Sequence, residues 1–209
     1  MAGKFESTET KKRKKWPWIL AICLLLIAAA ALYYFYFYQG NSGTPTLIVE
    51  TPQKLSASET EKFTLDVTVS ALGEARYPAM SMSIAFDPSR LEFLGVEEGN
   101  IFILSDENST GQQLPDWSCN VQNSNDTGRI NIMYLDMTGG KHAFSKELLA
   151  EDYNVVLRLK FRLRGSVRVG DVLDLIVEDA VFAASDETQS LAMTTDTLKV
   201  KNGKIVVGE

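Results

Sequence analysis

The 209-residue chain has one histidine, two cysteines and three tryptophans, and each scarcity removes a class of function. His142 stands alone after Gly139-Gly140-Lys141, so a histidine-based zinc site has no second imidazole to draw on. A Ser-His-Asp arrangement would need the same residue, and no strand–turn–helix nucleophile motif accompanies it. His142 therefore reads as an exposed loop residue. Neither GxxxxGK(S/T) nor GxGxxG occurs, which removes the common phosphate-cradling loops. The calcium-loop pattern D-x-(D/N)-x-(D/N)-G is also absent. Cys23 lies in an apolar run, leaving Cys119 as the only later cysteine, and one cysteine makes no internal disulfide. The later part of the chain must be stable through its core alone, with Cys119 expected as a small buried side chain.

Carboxylates are plentiful but unfocused. Glu97-Glu98, Asp106-Glu107, Glu151-Asp152, Glu178-Asp179 and Asp186-Glu187 are adjacent pairs. A glycosidase needs two carboxyl groups held about 5–10 Å apart across a cleft, and nothing in the sequence singles out one pair. The reading is a protein that is not an enzyme, with no metal and no cofactor. Asn108-Ser109-Thr110 and Asn125-Asp126-Thr127 match the N-glycosylation pattern, which is common by chance.

What is present begins with a charge step. Residues 1–15 carry six Lys or Arg, five of them in Lys11–Lys15, and Trp16–Tyr38 follows without a charged residue. Those 23 residues span about 34 Å as a helix, enough for a bilayer core. Trp16 and Trp18 flank one end and Tyr33–Tyr38 the other, where amphipathic rings favour the membrane interface. The expectation is a basic cytoplasmic tail (1–15), a retained transmembrane anchor (16–38), a linker (39–45) and an external domain (46–209). A cleaved signal peptide would instead use Ile19–Ile27 and cut within Ala28–Ala31, but large aromatics continue the apolar run. A lipoprotein would need Cys23 as acyl acceptor, and Ile22 is too large for that position. Beyond Tyr38 there are 15 basic and 25 acidic residues, a net charge near −10. That excess argues against nucleic acid or an anionic membrane surface as the domain's ligand.

The external domain is written in alternation. In Tyr77–Gly99, Met80, Met82, Ile84 and Phe86 point one way while Ala79, Ser81, Ser83 and Ala85 point the other. The small residues make a flat face that another body can approach closely. Asp87-Pro88 ends the strand, and Leu91 and Phe93 resume the pattern. In Gly128–Gly140, Ile130, Ile132 and Tyr134 form one face and Asn131, Met133, Leu135 and Met137 the other. Both faces are largely apolar, which fits either a strand covered on both sides or a contact surface. Thr46–Val49, Glu61–Ser70, Val155–Arg164, Leu173–Phe182 and Leu198–Val207 also read as strands. Ile101–Leu104 and Trp117–Val121 read as short strands, and Ser145–Ala150 as one or two helical turns with Ser145 as N-cap. Short strands with turn signals between them and almost no helix mean an all-β sandwich.

Three of these stretches resemble one family. AFDPSRLEFLGVEEG resembles the cohesin pattern of an apolar strand, an aromatic-Asp-Pro turn, then Leu-Glu-Phe and an acidic loop ending in Gly. INIMYLDMTGG is similar to a later cohesin strand ending in an acidic, Gly-containing turn, and LIVEDAVFAASDE to the strand leading into a Phe-Ala-Asp-like corner. The resemblance runs from about Thr46 to Gly208. It implies a nine-stranded jelly-roll β-sandwich with one short helix, here preceded by the N-terminal transmembrane helix. It also implies a non-catalytic module that binds the dockerin domain of another protein, commonly a polysaccharide-degrading enzyme, at the cell surface. The calcium of such a pair belongs to the dockerin. Carried over by position, Ala79, Ser81 and Ser83 supply the flat part of the binding face and Asn131, Met133 and Leu135 its apolar centre. Asp136 and Thr138 lie at its edge. Ala79 and Ser81 depart from the family, some of whose members carry Asn or Asp there. The rival expectations are a carbohydrate-binding module of the same architecture and a structural or adhesive ectodomain. A sugar-binding face would show a planar row of exposed Trp or Tyr, yet Trp117 is the only Trp beyond residue 38 and Tyr134 points inward.

Overall fold

Period-two alternation becomes thirteen strands among the described residues. They are β1 (Thr46–Val49), β2 (Leu55–Ser56), β3 (Lys62–Val69), β4 (Ala79–Ala85), β5 (Leu91–Glu98), β6 (Ile103–Leu104), β7 (Gln112–Gln113), β8 (Ser118–Cys119), β9 (Arg129–Leu135), β10 (Val155–Leu163), β11 (Val172–Ala183), β12 (Lys199–Lys201) and β13 (Gly203–Gly208). A helix, α1 (Val121–Thr127), links β8 to β9. The computed structural model describes residues 44–51, 55–56, 62–104, 112–185, 192–194 and 196–209, all within the compact unit Thr44–Glu209. The expected tail 1–15, anchor 16–38 and linker as far as residue 43 lie outside the described residues. Among the described residues, no helix is long and apolar enough to cross a membrane.

Two sheets face each other. One has the order β12-β1-β3-β10-β5, the other β2-β13-β11-β4-β9-β8, and β6-β7 form a separate ribbon. The inward residues of both sheets merge into a single core. Phe86, just past β4, meets Phe161 of β10 at 5.7 Å between ring centroids, and Phe161 meets Phe93 of β5 at 5.5 Å. The outward residues of β10 are Arg158, Lys160 and Arg162, as its alternation predicts.

The strand count exceeds the expected nine for identifiable reasons. Four strands have only two residues. The single strand expected at Leu198–Val207 is two: β12 runs parallel to β1 in one sheet and β13 antiparallel to β11 in the other. The chain changes sheets at Asn202, whose Oδ1 accepts from the Val177 N–H at 3.0 Å, where β11 bulges.

One local expectation fails. The strand expected at Trp117–Val121 stops at Cys119, because Asn120 caps a helix: its Oδ1 accepts from the Asn123 N–H at 2.9 Å. Gly128 closes that helix with a φ of 68°, a conformation that favours glycine. The one or two helical turns expected at Ser145–Ala150 are a single 3-10 turn, Lys146–Leu148, with Ser145 at its N-cap as expected.

Asn125 ties α1 to β5. Its Oδ1 accepts from the Phe93 N–H at 2.9 Å, and its Nδ2 donates to the carbonyls of Phe93 at 2.8 Å and Val121 at 3.0 Å. The nitrogen that a glycan would occupy is thus already engaged. Asn125→Ala takes the Asn125 partner from both the N–H and the carbonyl of Phe93, a loss of roughly 2–6 kcal/mol at about 1–3 kcal/mol per unsatisfied buried group. Urea denaturation should show it as a lower midpoint.

Candidate functional site

The outer faces of the two sheets differ in chemistry. On the five-stranded sheet, Arg158 Nε sits 3.1 Å from Asp66 Oδ1, Arg162 pairs with Glu92 at 2.6 Å, and Lys160 pairs with Glu97. These cross-strand pairs join β3, β10 and β5 across the middle of that face, each contributing little in water.

The six-stranded sheet shows the opposite surface. Ala79, Ser81 and Ser83 of β4 stand directly beside Leu135, Met133 and Asn131 of β9. Ser83 Oγ donates to Asn131 Oδ1 at 2.6 Å. Ile132 is 2% exposed, whereas Met133 is 49% and Leu135 51% exposed. The strand is thus covered on one side only, and its apolar outer residues face solvent. Of the eight residues expected at the site, these six form one continuous surface.

A shallow open depression of about 600 Å³ lies on this face, bounded by Ser81, Ser83, Asn131 and Met133 and extended by Ser118, Cys119, Asn120 and Asp179. Cys119 is half-buried rather than buried, because β8 is a two-residue edge strand that leaves it partly uncovered. Burial pushes its thiol up, with a backbone bond at Val96 opposing, so it is protonated at neutral pH.

Asp136 and Thr138 are placed differently from the other six. The Asp136 side chain is inaccessible to solvent. Its Oδ1 accepts from the Thr138 N–H at 2.7 Å and the Thr138 hydroxyl at 2.6 Å; its Oδ2 accepts from the N–H of Gly140 at 2.6 Å and of His142 at 3.3 Å. The carboxylate holds its own loop together, and the Thr138 hydroxyl serves that same carboxylate. His142 is half-buried rather than exposed. Burial alone would raise the Asp136 pKa, but these hydrogen bonds outweigh it and hold the carboxyl below its ordinary value. A depressed folded pKa contributes stability above the unfolded value of about 3.9, and the contribution is lost as pH falls through the folded pKa. Asp136→Asn turns an amide donor toward donors and should remove that part of the acid sensitivity. Melting curves from pH 7 to pH 3 should fall less steeply for the variant below about pH 4.

The aromatic side chains near this face point into the core. Tyr134 packs against Phe144 at 5.3 Å and Trp117 at 6.0 Å between centroids, and its hydroxyl donates to the His142 carbonyl at 3.1 Å. Burial, with the Asp136 charge adding, pushes its pKa up to about 12. Among the described residues, the outer face of this sheet presents no aromatic ring. Among the same residues, no group of three or more His, Cys, Asp or Glu is placed to hold a metal.

A family model described as the cohesin domain matches residues 49–207. The chain belongs to the cohesin family. Among curated proteins none matches it. Solved cohesins share the fold. The third cohesin of ScaC from Acetivibrio cellulolyticus, in complex with a ScaB dockerin, has 15% identity and a TM-score of 0.56 over 79% of this chain and 99% of that one. The OlpA cohesin from Clostridium thermocellum, in a type I cohesin–dockerin complex, has 18% identity and a TM-score of 0.55 over 79% and 99%. CaCohA2 from Clostridium acetobutylicum, solved in solution, has 20% identity and a TM-score of 0.54 over 79% of this chain and 91% of that one. This cohesin also brings residues to the face that alternation alone did not place there: Ser118 and Asn120 beside β9, and Asp179 from β11.

Proposed function

We propose that this cohesin is a non-catalytic docking module that receives a dockerin on the outer face of its six-stranded sheet. The observation that carries the reading is the contrast between the two outer faces. One is charged and crossed by its own ion pairs, the other leaves Met133 and Leu135 exposed over a floor of Ala79, Ser81 and Ser83. Large apolar residues on a flat, small-residue floor suit a helical partner, since buried apolar anchors dominate such interfaces. In the proposal, Met133 and Leu135 are the anchors, Ala79, Ser81, Ser83 and Asn131 are the floor, and Asp136 with Thr138 holds the adjoining loop in shape. The dockerin brings its own calcium. The N-terminal segment anchors the module in the membrane with its tail inside, and the cargo is a polysaccharide-degrading enzyme.

The test is calorimetric titration of the full chain, purified in detergent, with calcium-loaded dockerins. Saturable binding that disappears on removing calcium from the dockerin supports the reading. Binding to polysaccharide but to no dockerin overturns it in favour of a carbohydrate-binding module. Protease added to intact cells should remove the domain and leave the tail protected, and a mature protein starting near Leu32 would contradict the retained anchor.

A further inference from the structure

Within the depression on the docking face, one residue carries unopposed charge. The inward residues of β11 are Leu173, Leu175 and Val177, then Ala180 and Phe182. The phase changes because β11 bulges between Val177 and Asp179, so Glu178 and Asp179 are consecutive exposed residues. The two then diverge. Glu178 pairs with Arg129 at 2.6 Å, and Arg129 is the only cationic residue on β4, β8, β9 and β11. Asp179 lies opposite Ser83 and is the only charged residue lining the depression, whose other polar groups are Ser81, Ser83, Ser118, Asn120 and Asn131. No described residue makes a salt bridge or hydrogen bond with its carboxylate.

We infer that Asp179 sets partner choice at this face: the dockerin it accepts presents a lysine or arginine into the depression beside the apolar contacts to Met133 and Leu135. The inference rests on the docking reading above. A partner that covers the depression strips water from Asp179, and a carboxylate left there without a counter-charge is strongly unfavourable. A partner carrying an acidic side chain at that point is rejected, and one carrying a neutral side chain is weakened. Arg129, the only cation on these four strands, is held by Glu178, so the partner must supply the counter-charge.

The experiment uses a yeast-displayed library of calcium-loaded dockerins with the exposed helix positions randomised, sorted on the full chain in detergent. Parallel sorts use Asp179→Lys and Asp179→Asn, with melting temperatures measured for each. The parent sort should enrich Lys or Arg at one helix position, and the Asp179→Lys sort should enrich Asp or Glu at that position. Parent-selected dockerins should bind Asp179→Lys at least about 30-fold more weakly, in line with the loss of a desolvated charge pair. Parent-selected dockerins that show no basic enrichment, or that bind all three chains alike, overturn this inference while leaving the docking reading intact. A library that yields no binder to any of the chains overturns both.

Discussion

Leu135→Ala is expected to weaken dockerin binding about 30-fold or more, because truncating a central interface anchor typically costs roughly 2 kcal/mol or more. The fold should hardly notice. Leu135 is 51% exposed at the end of β9, so its removal opens no internal cavity. Leu135→Lys should bind still more weakly, since the partner would have to bury a charge. Ile132→Ala should do the reverse. Ile132 is 2% exposed and lies in the core, so the truncation should cost about 2–5 kcal/mol of stability while leaving the outer face chemically unchanged. Titration beside thermal melting separates the two. Equal losses of melting temperature for Leu135→Ala and Ile132→Ala would place the Leu135 side chain in the core and remove the proposed face.

The second large effect is expected at Gly99, which is buried at the end of β5. The Val155 carbonyl accepts the N–H groups of Asn100 at 2.8 Å and Ile101 at 2.9 Å. A β-carbon on Gly99 would overlap that carbonyl oxygen and lie 2.6 Å from the Val155 carbonyl carbon and 2.8 Å from that of Val156. All three atoms are backbone, so no side-chain rotation relieves the clash. Gly99→Ala should therefore push β5 from β10 and break both hydrogen bonds, at a cost of roughly 3 kcal/mol or more. For a domain of this size that lowers the melting temperature by about 6–12 °C. A melting temperature within a degree or two of the parent would mean that the two strands do not approach as closely as described.

Much of this architecture is legible in the sequence because a half-buried strand writes its two faces at a period of two. Met80, Met82 and Ile84 against Ser81 and Ser83 show which side of β4 is core; in β9 both alternating sets are apolar, and it is the exposure of Met133 and Leu135 in the fold that shows Ile130, Ile132 and Tyr134 to be the inner set. The sandwich class follows from such strands, whereas the six residues of the candidate face come from the cohesin resemblance, and the fold sets them side by side on β4 and β9. Alternation says nothing about structures held by single polar side chains. Helix α1 has no apolar periodicity; Asn120 and Gly128 cap it and Asn125 pins it to β5. The Asp136 carboxylate looks like an edge contact in sequence, yet four donors from its own loop turn it away from solvent. Asp179 had a readable signal, the change of phase between Val177 and Ala180 that marks a bulge, but a single adjacent acidic pair does not reveal it without the neighbouring strand. Cys119 is only half-covered because an edge strand of two residues ends its sheet, and strand order is not written in local pattern.

The central claim is that the dockerin sits on the outer face of the six-stranded sheet. Methionine methyl resonances report on it directly, because β4 and β9 carry methionines on both sides. Met80 and Met82 are buried beneath the face, Met133 is half exposed upon it, and Met193 is buried elsewhere in the core. With methyl-labelled methionine, addition of a calcium-loaded dockerin should shift and broaden the Met133 signal in proportion to bound fraction, while those of Met80 and Met193 hold their positions. Saturated binding with Met133 unmoved would contradict the account.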